Sequence, residues 1–557
     1  MNDNFEDTEV SVQGIKQEIL VPSQYKTIQE AINNSNPNTL IRVETGLYKE
    51  SLVFKKPNIF LEPVLGGEVY LVGEDGPTIL IDIAGNQNGQ INIQNFKITS
   101  KGIPDAPEVL EENKLEIPKT MDEVCQLLSK NSKNKYQENL IFVKEGSLTI
   151  FKCEMTCNLL FKQSTLYNSC IYVSKSCQCI VTECRFRGSD NLMTSGVTSF
   201  EGNTFLKHCT FFNFKGAAVL FNLDPKNICN MYCCKFVKNN IGFMATRENN
   251  KSKITECEFE ENVLGCLVAM CVELVIFKCR FVLNKLGILV IGADPLISES
   301  EISYNTGNGV TVRSDGVYTF PQFFDNDVTG NHKNGFKLKG EKNKALVKNN
   351  QIVLNHFAGV KVADKAYVYI HNNEISKNIF QGVCVKESAG AMIEKNNIEG
   401  NIKANIAIGG ASSPECVILK NEILNGRCEG IFLAHTNRCR VYNNFIKNNH
   451  FGILVVNSAP VIISNSIKEN LFHGILAIKK CDVNISVNNI SRNRRIGVYV
   501  RDKCKGVIEQ NIVIENEIDL LVEEYNEDLK NVVEQTSGNK FGDAVRIPFK
   551  KSYCHIF

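Results

Sequence analysis

Four carboxylates fall into two triplets of the same form: Glu299 and Glu301 flank Ser300, and Asp325 and Asp327 flank Asn326. If the triplets are equivalent positions of a repeating coil, matching acids lie about 5 Å apart. That is near the carboxyl separation of retaining glycosidases, whereas inverting ones need roughly 6.5 to 9.5 Å. Clustered carboxylates suit a hard cation such as calcium, and Lys278 and Arg280, one spacing earlier, supply a candidate base. This constellation reads as a calcium-dependent polysaccharide lyase or glycoside hydrolase site. The same residues also read as a surface charge ladder, in which two cations offset neighbouring acids at about 0 to 1 kcal/mol per exposed pair. The ladder is the reading carried forward, so no catalytic residue, metal or cofactor is assigned, and calcium enters only with the enzyme alternative.

A second cluster is basic. Arg492, Arg494, Arg495 and Arg501, with Lys503 and Lys505, form a candidate surface for an acidic protein partner, although Glu515, Glu517, Asp519, Glu523 and Glu524 follow closely enough to balance them. His356, His450 and His473 precede the nearest glycine by three, two and one residues, so they do not share a slot or form a nucleophile pair. Cys233 with Cys234, and Cys177 with Cys179, lack the paired knuckles of a zinc site, and no zinc is expected.

What would position these side chains is a repeat. Glycine followed by apolar residues recurs at Gly242, Gly265, Gly287, Gly309, Gly335, Gly359, Gly382, Gly430, Gly452, Gly474 and Gly497, mostly 22 to 26 residues apart. Asn405 and Asp519 take the glycine's place in two coils. Both residue types tolerate positive φ, so the slot is expected to require a left-handed residue. A second series runs beside it: Cys153, Cys184, Cys209, Cys234, Cys257 and Cys279, then Ser300, then Asn326, Asn350, Asn373, Asn396, Asn421, Asn444, Asn465, Asn488 and Asn511. The apolar period is two and no helical pattern fits between corners, which excludes a helical solenoid and leaves a parallel β-helix. With coils about 4.8 Å apart, inward asparagines bond side chain to side chain along the axis, and inward cysteines act as small apolar fillers.

The pattern divides the chain. Residues 1–21 read as an acidic flexible tail, and 22–100 as a cap and the first coils. SQYKTIQEAINNS carries a capping box, Thr27 with Glu30, and an apolar stripe of Ile28, Ala31 and Ile32; a short helix there covers the open end of the stack. Residues 101–139 form an inserted charged loop with Pro104, Pro107, Pro118 and a short helix in TMDEVCQLLSK. Residues 140–525 are the main β-helix and 526–557 a C-terminal tail or cap. About 17 coils are expected, a rod of about 80 Å.

The phrases TIQEAI and IRVETGLYKESLVF, with the glycine and asparagine coils, resemble the right-handed parallel β-helix superfamily of pectate lyases and related carbohydrate-binding or sugar-hydrolase repeats, over roughly residues 22–525. LIFVKEGSLTIFKCEM and SCIYVSKSCQCIVTECRF are most similar to its intracellular branch, the SHC SH2-domain-binding protein and the β-helix F-box proteins. The stretch before residue 22 is too short for an F-box, which weighs against a substrate-recognition role in a ubiquitin ligase. The resemblance implies an all-β, single-stranded right-handed solenoid with an N-terminal capping helix, acting as a protein-interaction scaffold. The superfamily's hydrolase signature is incomplete: no Asp-Asp occurs, and the nearest phrase to Gly-His-Gly is Phe472-His473-Gly474.

Composition agrees with that expectation. The 557 residues are 43% hydrophobic, enough for a large core, and 62 Lys and Arg against 61 Asp and Glu leave a net charge of +1. No overall field recruits nucleic acid or an acidic membrane, and no apolar run approaches the roughly 20 residues of a spanning helix. Tryptophan, a common sugar platform, is absent. The 22 cysteines, behind an N-terminus without the order of a secretory signal, are expected to be reduced and cytoplasmic. The reading is a non-catalytic scaffold that binds other proteins in a larger assembly, for instance a cytoskeletal or ciliary one.

Overall fold

The computed structural model describes residues 14–74, 76–85, 89–100, 117–129, 139–157, 168–189, 193–222, 224, 226–247, 252–270, 272–410, 415–436, 438–523, 538–542 and 545–546. They group into two units, residues 1–258 and 259–557.

In the first unit each turn supplies three short strands, and every strand pairs in parallel with its equivalent one turn on. Gln17–Val21 pairs with Thr39–Val43, which pairs with Ile59–Pro63. Gly46–Lys49 pairs with Val69–Gly73, and Leu52–Phe54 with Ile79–Asp82. Alternate residues point inward, so Ile59, Leu61 and Pro63 are buried while Phe60 and Glu62 are not. Identical slots sit above one another: Phe186, Phe211 and Phe236 stack with centroids 4.6 and 5.0 Å apart and planes within 10°.

One sequence boundary moves. Gln17–Val21 is a strand rather than flexible tail, because Ile19 and Val21 reach the core and Glu18 pairs outward with Arg42 at 2.9 Å; residues 1–13 lie outside the described residues. Helix α1 (Ile28–Asn34) closes this end, with Ile28, Ala31 and Ile32 buried. The Thr27 hydroxyl accepts from the Glu30 N–H at 3.0 Å as expected, but the Glu30 carboxylate accepts from Lys26, not Thr27, at 3.2 Å. Glu50 takes the free N–H groups of Ile28 and Gln29 at 3.0 and 2.9 Å. In the insertion the short helix forms as α2 (Met121–Ser129); residues 101–116 and 130–138 lie outside the described residues. Among the described residues no helix is long and apolar enough to cross a membrane.

The second unit repeats the three-strand turn. At its far end Lys540–Phe541 pairs with Ile512–Ile514 and Val545–Arg546 with Ile518–Val522, so the C-terminal segment adds strands to the last turn. Among the described residues the first strand of the turn occurs nine times in the first unit and eleven times in the second, against the 17 coils expected. The earliest turns carry neither the glycine nor the asparagine signature.

The asparagine series is a buried hydrogen-bonded column. From Asn326 to Asn511 each Nδ2 donates to the next Oδ1; Asn350 to Asn373 is 3.1 Å and Asn373 to Asn396 is 2.9 Å. The same Oδ1 accepts the preceding residue's backbone N–H, as Asn373 does from Asn350 at 2.8 Å. In the first unit the slot holds the buried side chains of Cys153, Cys184, Cys209, Cys234 and Cys257, with sulfur as a weak acceptor in place of the amide: Cys234 N–H to Cys257 Sγ is 3.4 Å.

A second column, which the sequence reading missed, stands five residues further on: Asn284, Asn305, Asn331, Asn355, Asn378 and Asn401, then Asn449, Asn470, Asn493 and Asn516. Gly426 breaks the series, and the Asn405 side chain fills the gap, accepting from Asn401 at 2.8 Å and donating to Asn449 at 3.0 Å. Asp519 ends the column by accepting from Asn516 at 3.0 Å and from the Gly542 N–H at 2.7 Å.

These contacts overturn the expectation for the glycine slot. Neither the coil glycines nor Asn405 and Asp519 have positive φ. The slot is crowded instead: a Cβ on Gly452 would stand 2.4 Å from the Gly474 carbonyl oxygen, 2.6 Å from Ile467 Cγ2 and 3.0 Å from Asn470 Nδ2. Positive φ belongs to the residue before each column member, for example Asp325 (55°), Asn349 (57°), Asn372 (53°) and Val487 (58°).

Candidate functional site

The structure separates the four acids by role. Glu301 and Asp327 face each other in register, with Arg280 opposite Glu301 one turn earlier. Glu299 and Asp325 instead occupy the left-handed turn, with φ of 49° and 55°. Each acid that shares a surface is engaged: Arg280 Nε lies 2.8 Å from Glu301, Lys278 Nζ lies 3.8 Å from Glu299, and the Thr329 hydroxyl donates to Asp327. Burial raises the Glu301 pKa, but the Ser303 hydroxyl at 2.6 Å and Arg280 outweigh it and hold the carboxyl below its ordinary value. A general acid needs the opposite shift. The arrangement is that of a charge ladder, and among the described residues no three His, Cys, Asp or Glu side chains gather as a metal site.

The arginines are likewise divided. Arg492 pairs with Glu515 at 2.6 Å, and Arg501 with Asp502 and Glu523 at 3.2 and 3.8 Å. Arg494 is exposed, and Arg495 lies 5.7 Å from the Phe472 ring centroid. Phe472 in turn joins two histidines from different slots, lying 4.3 Å from His450 and 6.3 Å from His473. His473 Nδ1 accepts the Ile496 N–H at 3.3 Å. Burial, then Arg495 and His450, pushes the His473 pKa down to about 4, so the ring is neutral. His356 stands elsewhere, stacked on His332 at 4.7 Å.

The most distinctive surface was not singled out from the sequence. On the third sheet of the second unit, the strands Glu429–Ala434, Phe451–Val456 and Ile475–Ile478 are apolar at outward as well as inward positions. Phe432, Leu454, Leu476 and Tyr499 form one outward column in register, and Ala434, Val456 and Ile478 form the next. All but Tyr499 are half exposed. The second sheet at the same height presents Phe445, Ser466 and Asn489, a mixed column. In the first unit the corresponding outward column of the third sheet, Phe142, Tyr172, Thr198, Leu220 and Met244, is buried. The signal was present in runs such as IFLA, ILVV and ILAI, since a continuous apolar strand marks one with both faces made for burial.

With this geometry in hand the class is clear. The family model for the right-handed β-helix region matches residues 139–293, 201–352 and 340–466, and the chain belongs to that family. A model for the periplasmic copper-binding protein NosD matches residues 410–547; the described residues of that stretch do not fit a three-ligand copper centre, because its Cys, His and acidic side chains do not gather. No curated protein matches the chain. Among solved structures, the complex of XylC with xylose shares 10% identity over 58% of this chain and 69% of its own, with a TM-score of 0.36. The Yersinia enterocolitica family 28 exopolygalacturonase shares 10% over 68% and 75%, at 0.32. The A-module of a mannuronan C-5 epimerase from Azotobacter vinelandii shares 11% over 72% and 91%, at 0.28.

Proposed function

We propose that this chain is a non-catalytic scaffold of the cytoplasm that binds other proteins through the outer face of the third sheet in the second unit. The observation that carries the reading is the half-exposed double column of Phe432, Leu454, Leu476, Ala434, Val456 and Ile478. An apolar sheet face of this kind marks an interaction surface, and its counterpart in the first unit is buried. The salt-bridged acids at Glu301 and Glu299 favour a charge ladder over the calcium-dependent lyase or hydrolase alternative. The abundance of cysteine, 22 in the chain, used as a buried inward filler, supports a reducing compartment.

The test is a photo-crosslinking amino acid placed at Leu454 of the full chain in its native cells, with Asn489 on the second sheet as control. Protein adducts at 454 but not at 489 are expected. Equal yields at both, or calcium-dependent turnover of a uronate polymer that Glu301→Gln with Asp327→Asn abolishes, would overturn the reading.

A further inference from the structure

The apolar column continues into a basic one. Upstream of Phe432, the same register runs through Ala407 and Cys384 to Lys361 and Lys337. Among the described residues neither lysine has a carboxylate within salt-bridge distance. Burial, then Lys339 and Lys361, lowers the Lys337 pKa against the opposing pull of Asp364. Between the two ends stand two small residues, the half-buried Cys384 and the buried Ala407.

Rung spacing decides what shape fits. Rungs stand about 4.8 Å apart, so the three steps from Phe432 to Tyr499 span about 14 Å. Three turns of an α-helix span about 16 Å, but three same-face steps of an extended strand span about 20 Å. Over these three steps a helix running along the column offers one apolar side chain per rung with about 2 Å of accumulated drift, and about 4 Å over seven steps, where a strand is out by about 6 Å after three and about 13 Å after seven. From Lys337 to Tyr499 the column has seven steps, about 34 Å, the length of a helix of roughly 20 residues.

We infer that this column seats an amphipathic α-helix of a partner protein, roughly 20 residues long, with an apolar stripe over Phe432, Leu454 and Leu476 and acidic residues over Lys337 and Lys361. The inference rests on the scaffold reading and names its partner chemistry. Helix-in-groove recognition of this kind draws affinity from the apolar stripe and orientation from the charges.

The test is selection of a displayed library of random peptides of about 20 residues on the full chain, followed by anisotropy titration and circular dichroism of the enriched sequences. Enriched peptides are expected to gain helix on binding, to carry apolar residues at three- and four-residue spacing with acids toward one end, to lose at least tenfold in affinity for Leu454→Glu with Leu476→Glu, and to lose about fivefold for Lys337→Glu with Lys361→Glu. Peptides that depend on Leu454 and Leu476 but have two-residue spacing, no helix or no acids would overturn the helix while leaving the scaffold standing. Enrichment insensitive to both double variants, no enrichment, or displacement by a hexameric polyuronate would overturn both. If the glutamate variant melts below wild type, Leu454→Ser with Leu476→Ser replaces it.

Discussion

Replacing Asn373 by alanine tests the internal column at its middle. The Asn373 side chain makes four hydrogen bonds: its Oδ1 accepts from Asn350 N–H at 2.8 Å and Asn350 Nδ2 at 3.1 Å, and its Nδ2 donates to Val347 O and Asn396 Oδ1, both at 2.9 Å. Asn350 Nδ2 keeps Phe323 O and Lys348 O, and Asn396 Oδ1 keeps the Asn373 N–H. The backbone N–H of Asn350 loses its acceptor inside the buried column, at about 1 to 3 kcal/mol, and the other three bonds are each worth about 1 kcal/mol, so the loss is at least about 4 kcal/mol. Because stacked repeats open locally, the assay is native-state hydrogen exchange of the amides near residue 350, where that loss is about a thousandfold faster exchange. The control is Asn372→Ala, at an exposed turn with φ of 53°, expected to cost about 1 kcal/mol or less. A change under about fivefold for Asn373→Ala would refute the idea that the column carries the stack.

Three further outcomes follow from the same geometry. Gly452→Ala is expected to cost about 3 kcal/mol through overpacking, more than Gly400→Ala, where φ is 63° but the nearest atom to a Cβ is 3.9 Å away; the reverse order in urea melts would restore a left-handed requirement at the glycine slot. Val487→Gly should raise stability by about 0.5 to 1 kcal/mol, since an exposed β-branched residue held at φ 58° loses more than glycine's added freedom, and a lowered melting temperature would count against this. His473, neutral when folded with a pKa of about 4, binds its proton more readily unfolded, so its contribution is intact above about pH 6.5 and fades as pH falls toward 4. The melting temperature of wild type should therefore drop more over that interval than that of His473→Gln, and parallel curves would show that the ring is not shielded.

The inward slots were legible in the sequence because the turns from Cys153 onward repeat them: the Cys and Asn series and the strand phase stand where their spacing put them, and α1 where its capping residues did. The second column stands five residues after the members of the first from Cys279 onward, Asn421 excepted, past the short strand rather than at its start, where no apolar alternation marks it. The glycine slot was misjudged for a physical reason. Asn and Asp substitute for glycine both where φ is positive and where a side chain can replace a missing hydrogen-bonding neighbour, and only the positions of Gly426, Asn449 and Asn516 reveal which applies. Outward columns are harder still, since turns of differing length lie between the strands that align them. Glu299 and Glu301 look equivalent as letters, yet the backbone makes one a turn residue and the other a strand residue.

The exchange between Asn405 and Gly426 means that regularising this protein toward its own consensus is not a one-step operation. Asn405→Gly alone would open a gap in the amide relay, and Gly426→Asn alone would drive a new side chain into Asn405 Nδ2, 2.8 Å from where its Cβ would sit. Made together, the two changes recreate the pattern of every neighbouring turn. The pair is thus a compensated defect, and lineages carrying one change without the other should be rarer than either parent.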